Sequence, residues 1–129
     1  MEDITSITFR PARGERLLAQ TAPGAATYSA AYTVAAGLIG VVTCIVVCNT
    51  ETGPPAATTF RIHHSDSGGA AVVGNALSFD EALTANQSIP RRYGPGENGI
   101  VVAAAGIIYA GSASGRVTFS FYGYEITVT

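Results

Sequence analysis

The stretch from Leu38 to Cys48 is apolar at odd and even positions alike, reading LIGVVTCIVVC. A β-strand alternates its side chains between two faces, and a small antiparallel sheet usually buries one of them. Regular alternation predicts two apolar faces here, one with Val42, Cys44, Val46 and Cys48, the other with Val41, Ile45 and Val47. Something must then cover the second face, and a second copy of the chain, a partner protein or a lipid could each do so.

The composition favours a protein that works within an assembly. Charged residues are 12% of the chain, about half of the ~25% in typical soluble domains, and the length of 129 residues fits one domain. The net charge of -2 offers no basic excess for binding nucleic acid. All seven basic residues are arginines, which suit ion pairs at interfaces, although a GC-rich genome would favour arginine as well.

The two cysteines, Cys44 and Cys48, are predicted to be free thiols. Four positions apart on a strand, their Cα atoms would be separated by ~13 Å, whereas a disulfide needs them within about 7 Å. The cysteine content therefore does not require an oxidising compartment.

The charge-free stretch from Leu17 to Thr50 raises the question of a membrane span, because ~20 apolar residues suffice for one. Residues 34–48 are rich in β-branched side chains, which favour strands, and no basic flank sets a membrane orientation. The acidic start of the chain is also unlike a secretory signal. The sequence therefore predicts neither a membrane span nor a membrane partner.

From residue 25 onwards, short apolar or alternating runs are separated by turn residues, which predicts seven or eight strands. The predicted strands are 27–34, 38–49, 57–64, 70–79, 87–90, 100–109 (kinked at Gly106) and 117–129, with one helical turn at 80–84. This pattern indicates an all-β domain over residues 25–129, an antiparallel β-sandwich or jelly roll.

Residues 1–24 differ from the rest of the chain. The first sixteen contain three of the seven arginines and three of the nine acidic residues, together with Pro11 and Gly14. We interpret residues 1–24 as an extended N-terminal arm that ends at Pro23-Gly24, with an ordinary first strand and loop as the alternative.

No group of residues forms a catalytic pattern. His63 and His64 would point to opposite faces of a strand and could not easily bind one metal ion. Asp80-Glu81 fits a solvated turn, and Arg91-Arg92-Tyr93 fits a surface loop better than a contact with nucleic acid or an acidic partner. We therefore expect a binding protein rather than an enzyme, with no metal or cofactor.

Five short segments follow one another in a suggestive order: YTVAAG (32–37), VCNT (47–50), ATTFRIHH (57–64), LTAN (83–86) and VTFSFYGYE (117–125). With this order, the chain resembles small virion structural proteins of tailed bacteriophages over about residues 28–126. The resemblance implies a β-sandwich that oligomerises, often as a trimer, on a capsid, neck or tail. The family shares no catalytic residues that could be transferred to this chain.

The resemblance makes a capsid decoration (cement) protein the leading expectation: a homotrimer in the virion that binds the major capsid protein. The arm would reach onto the shell, where several modest contacts add up through effective concentration. Apolar anchors or an added strand would come from Ile4, Ile7 and Phe9, and pairs with shell carboxylates from Arg10, Arg13 and Arg16. Deletion of residues 1–16 should leave a folded oligomer that does not bind capsids.

Two other functions remain open at the level of sequence. The first is another virion component, of a neck, collar, fibre or baseplate. The second is a carbohydrate-binding sandwich that uses Tyr93, Tyr109, Tyr122 or Tyr124.

Overall fold

The computed structural model describes residues 15–51 and 57–128, which form nine strands in two antiparallel sheets. The strands are β1 (Arg16–Thr21), β2 (Ser29–Thr33), β3 (Leu38–Asn49), β4 (Thr58–Ser65), β5 (Ala76–Leu83), β6 (Ser88–Arg91), β7 (Ile100–Val102), β8 (Ile107–Ser112) and β9 (Val117–Thr127). Sheet A has the order β1-β9-β3-β6, with β7 also paired to β3, and sheet B has the order β2-β8-β4-β5. The predicted all-β, sandwich-like fold is confirmed.

The core lies between the two sheets. Phe60 of β4 in sheet B and Phe119 of β9 in sheet A are fully buried, and their rings meet edge to face with centroids 6.1 Å apart. Both residues belong to one cluster of apolar side chains drawn from the two sheets. The inward faces of the two sheets are therefore held together by a single hydrophobic core.

Strand β3 does not alternate regularly, because it contains a β-bulge. Val42 lies opposite Gly123 and Cys44 opposite Tyr122, so Thr43 is an extra residue on β3. The bulge reverses the phase of the strand, and Val42 points to the core together with Ile45 and Val47, each at most 1% exposed. The predicted grouping of Val42 with Cys44, Val46 and Cys48 is therefore wrong.

Three further elements differ from the prediction. The strand predicted over 70–79 begins only at Ala76, and a short 3-10 helix (Val73–Asn75) precedes it. The single strand predicted over 100–109 is two strands, since β7 pairs in sheet A and β8 in sheet B. The chain crosses between the sheets in a turn where the N–H of Gly106 donates to the carbonyl oxygen of Ala103. The predicted helical turn at 80–84 is wrong as well: β5 runs through Asp80, whose positive φ of 53° accompanies an irregular register with β4.

Strand β1 falls inside the range predicted for the arm. It pairs with β9 from Arg16 opposite Gly123 to Thr21 opposite Phe119, and forms one edge of sheet A. Sheet A therefore includes residues 16–21 of the range predicted to be an arm. For these residues the alternative, an ordinary strand, applies. Residues 1–14, the rest of the predicted arm, lie outside the described residues.

A buried tyrosine is hydrogen-bonded to a partly buried carboxylate, and this pair makes the stability of the protein depend on pH. The Tyr32 hydroxyl donates to Glu125 at 2.7 Å, and burial, this hydrogen bond and the negative charge of Glu125 raise the pKa of Tyr32. Between the unfolded pKa of about 10 and the higher folded pKa, the folded state keeps a proton that the unfolded state has lost. We therefore expect the contribution of Tyr32 to the free energy of unfolding to be constant below pH ~10. Above pH ~10, this contribution should fall as the pH rises toward the folded pKa.

Urea denaturation on either side of pH ~10 measures this effect, and Tyr32→Phe is the reference because it keeps the ring and removes the ionisable group. The decline in stability above pH ~10 should be shallower in Tyr32→Phe than in the parent protein. Equal slopes in the two proteins would contradict the assignment to Tyr32.

Candidate functional site

The outward side of sheet A is apolar across its strands. Residues directly opposite each other in a sheet share a face, and here Leu17 lies opposite Tyr122, while Val41 lies between Tyr124 and Val101. Ile39 and Ile126 form a further apolar pair on this side. We call this surface the A face; it consists of Leu17, Ile39, Val41, Val46, Val101, Tyr122, Tyr124 and Ile126.

Four of the eight A-face residues are exposed to solvent in the described chain, whereas Val41 on the central strand β3 is buried. Val101 is 61% exposed, Leu17 46%, Ile126 45% and Tyr122 37%. Apolar side chains that are exposed singly are common, but a contiguous apolar patch usually marks an interaction surface. The apolar run of β3 thus has one face in the core and the other on the A face, which is the candidate interaction surface of the molecule.

Both cysteines point outward with the A face. Cys44 lies opposite Tyr122 and is buried, whereas Cys48 lies opposite Thr118 and is partly exposed. Both are free thiols, as the sequence predicted. The partly exposed Cys48 can therefore report by its reactivity whether this surface is covered.

Two opposite charges flank the bulge at the centre of the A face. The Thr43 hydroxyl donates to the carboxylate of Glu15, which precedes edge strand β1. On the other side of β3, Arg92 follows β6 and donates from Nη1 to the carbonyl oxygen of Thr43 at 3.5 Å. The A face therefore carries an acid on its β1 side and a base on its β6 side.

Arg92 differs from the other arginines that the structure describes. Each of those has a carboxylate partner: Arg16 with Glu125, Arg61 with Asp80, Arg91 with Glu81 and Arg116 with Glu51. Within residues 15–51 and 57–128, Arg92 makes no such pair. The exposed charge of Arg92 therefore has no carboxylate partner in the part of the chain that the structure describes.

Of the six predicted partner-binding residues, the structure describes Arg16. Its Nη2 donates to Glu125 at 3.0 Å, and its side chain is 55% exposed. The carboxylate that Arg16 meets here thus belongs to its own sheet. The other five, Ile4, Ile7, Phe9, Arg10 and Arg13, lie outside the described residues.

A second feature, on the outward side of sheet B, is a cleft of about 540 Å³ around Arg61. The guanidinium of Arg61 lies 3.9 Å from the ring centre of Phe79 and 4.9 Å from that of Tyr28, and it binds Asp80 at 2.7 and 3.2 Å. This hydrogen bond lowers the pKa of Asp80. The charged groups of the cleft are thus bound to each other.

The histidine pair is divided between the two sides of sheet B. His63 lies opposite Tyr109 and lines the cleft, whereas His64 lies opposite the buried core residue Ile108. His63 Nδ1 donates to the carbonyl oxygen of Val72 and to Oδ1 of Asn75, each at 3.0 Å. His63 therefore anchors the loop before β5 to the sheet.

The four tyrosines proposed for carbohydrate binding are not brought together. Tyr122 and Tyr124 lie on the A face, while the Tyr109 hydroxyl donates to the carbonyl oxygen of Gly69 at the sheet B cleft. Tyr93 is half-buried, its hydroxyl lies 2.5 Å from that of Ser78, and burial raises its pKa. These positions do not make one groove.

Two features are absent from the described ranges, 15–51 and 57–128: a cluster of metal ligands and a membrane-spanning helix. No group of three or more His, Cys, Asp or Glu side chains there is arranged to hold a metal ion. None of the helical segments in that part of the chain is long and apolar enough to cross a membrane.

Sequence reasoning predicted a second apolar face on β3 but missed the charges beside it. Glu15 and Arg92 are far apart in sequence, and no pattern links them; the bulge at Thr43 brings both to one point. The functional reading of the A face rests on this geometry, since the chain matches neither a protein-family model nor a curated protein.

Proposed function

We propose that this protein is a structural component of a bacteriophage virion, a capsid decoration protein that binds and stabilises the head shell as a homo-oligomer. The observation that carries the proposal is the A face, an apolar surface on the outward side of sheet A, of which Leu17, Val101, Tyr122 and Ile126 are exposed. A protein that is repeated on a lattice needs such contact surfaces, and a freely soluble monomer does not.

The proposed activity is binding rather than catalysis. The ionisable groups of the sheet B cleft support this view, because Arg61 and Asp80 are bound to each other and His63 is bound to the loop before β5. Catalytic groups are instead aimed at a space that a substrate can enter.

In this proposal the sandwich is of the jelly-roll type and residues 1–14 form the shell-binding arm. Ile4, Ile7 and Phe9 would provide apolar anchors, and Arg10 and Arg13 would bind carboxylates of the major capsid protein. Arg16 belongs to β1 and has its own carboxylate partner, so the arm that we propose ends before it.

Deletion of residues 1–14 is expected to abolish binding to undecorated capsids while the sandwich stays folded. The deletion ends before Arg16, so the ion pair with Glu125 and the pairing of β1 with β9 are kept. Co-sedimentation of the purified proteins with undecorated heads measures binding, and circular dichroism verifies the fold. Co-sedimentation of the truncated protein at the level of the full chain would refute a binding role for the arm.

A matched pair of full-length variants tests whether binding depends on the apolar side chains of the arm or only on its length. Replacing Ile4, Ile7 and Phe9 by Ser should weaken co-sedimentation strongly, whereas replacing Thr5 and Thr8 by Ser should leave it unchanged. The number of copies per virion separates a decoration protein, which is abundant, from a neck, collar, fibre or baseplate component, which is present in few copies.

A further inference from the structure

We propose that the A face is a self-association surface, on which a second copy of this chain packs about a two-fold axis that runs along β3 through Thr43. The contact is isologous: the same surface is used by both copies. This inference rests on the proposed function only in that both require an oligomer, and it assigns a two-fold contact where the resemblance implies a trimer.

The size of the A face fits such a contact. On β3 the A face runs from Ile39 to Val46, ~26 Å, and across four strands about 4.8 Å apart it has a flat area of roughly 500 Å². A standard specific interface buries ~800 Å² per partner, and corrugated side chains exceed the flat area that they cover. Two sheets packed face to face also reproduce a common arrangement of protein cores.

The charges of the A face decide the direction of the axis. Glu15 lies on the β1 side of Thr43 and Arg92 on the β6 side. A two-fold rotation about an axis along β3 exchanges these sides between two apposed faces. Each Arg92 then lies opposite Glu15 of the other copy, which supplies the carboxylate that Arg92 lacks among the described residues of its own chain.

The same rotation also matches the apolar side chains. Val101 lies on the β6 side of Val41, and Tyr124 lies on the β9 side. In the apposed copies, the exposed valine of one chain therefore lies over the tyrosine of the other. An axis across the strands would instead place Arg92 near Arg92 and Glu15 near Glu15, which like-charge repulsion disfavours.

Charge reversal on each side of the axis tests this arrangement. Glu15→Arg alone and Arg92→Glu alone should each weaken self-association by at least ~10-fold, because each variant places like charges opposite each other. An equimolar mixture of the two variants should form heterodimers with an affinity within about 3-fold of the parent, since both pairs are then complementary. Sedimentation velocity at micromolar concentrations measures the association.

Two exposed valines provide the matched control for the apolar part of the contact. Val101→Asp, on the A face, should remove the dimer, whereas Val73→Asp, at a site 76% exposed beside the sheet B cleft, should dimerise as the parent does. Circular dichroism establishes that both are folded. Maleimide labelling of Cys48 should be slower in the parent dimer than in Val101→Asp.

Several results would overturn the proposal. Reversal variants that associate as tightly as the parent, or a mixture that associates no better than either variant alone, would remove the two-fold pairing. A trimer would remove it as well but would leave the oligomeric decoration protein in place, whereas a strict monomer would count against both. A monomer that dimerises only after residues 1–14 are deleted would assign the A face to that segment instead.

Discussion

Replacing Gly123 by alanine should prevent stable folding or cost at least about 3 kcal/mol of stability, although only one methyl group is added. A Cβ built on Gly123 would overlap the carbonyl oxygen of Val41 in the neighbouring strand. Val41 cannot move away easily, because it is paired with Tyr124 on one side and with Val101 on the other. The backbones of β3 and β9 approach closely here because Gly123 lies opposite the bulge at Thr43.

Urea denaturation followed by circular dichroism measures this change, since the chain has no tryptophan. Gly74→Ala is the matched control: no atom lies within 4 Å of its added Cβ, and its backbone does not have a positive φ. The control should lie within ~0.5 kcal/mol of the parent or be slightly more stable. A Gly123→Ala protein with the stability of the control would show that the two strands can separate at the bulge.

The bulge also explains which parts of the fold the sequence could predict. Apolar runs and turn residues mark most strands correctly, since they reflect burial and local backbone preferences. Phase along a strand is different, because one inserted residue moves every later side chain to the opposite face. No residue next to Thr43 in the sequence marks it as the extra residue of the bulge. The bulge is marked by the close approach of β3 to Gly123, which appears only when β9 is placed beside β3.

The candidate site was predictable to a similar degree. The excess of apolar residues on β3 indicated a surface that something must cover, and the A face is that surface. For residues 1–24 the composition indicated an extended arm and left an ordinary first strand open, and only the long-range pairing with β9 places Arg16–Thr21 in a strand. Charges such as Glu15 and Arg92, which tertiary structure brings to the two sides of Thr43, leave no trace in local patterns.

The largest loss of stability from a single truncated core side chain is expected for Phe60→Ala. Phe60 is fully buried and bridges the sheets through its ring contact with Phe119. Truncation therefore leaves a cavity between the sheets, which can be filled only if β4 moves. Such truncations cost about 3–5 kcal/mol, out of a typical total of about 5–15 kcal/mol. The melting temperature should fall by roughly 10–20 °C.

Phe79→Ala is the matched control, because it removes the same ring from the outward side of sheet B. Phe79 is 44% exposed and packs against Arg61, whose pair with Asp80 remains after the truncation. Its loss should cost about 1 kcal/mol, the scale of a partly solvated cation–π contact. Thermal unfolding of the two variants in parallel measures the difference. Equal losses of stability in Phe60→Ala and Phe79→Ala would mean that the contact between the sheets does not dominate the stability of the sandwich.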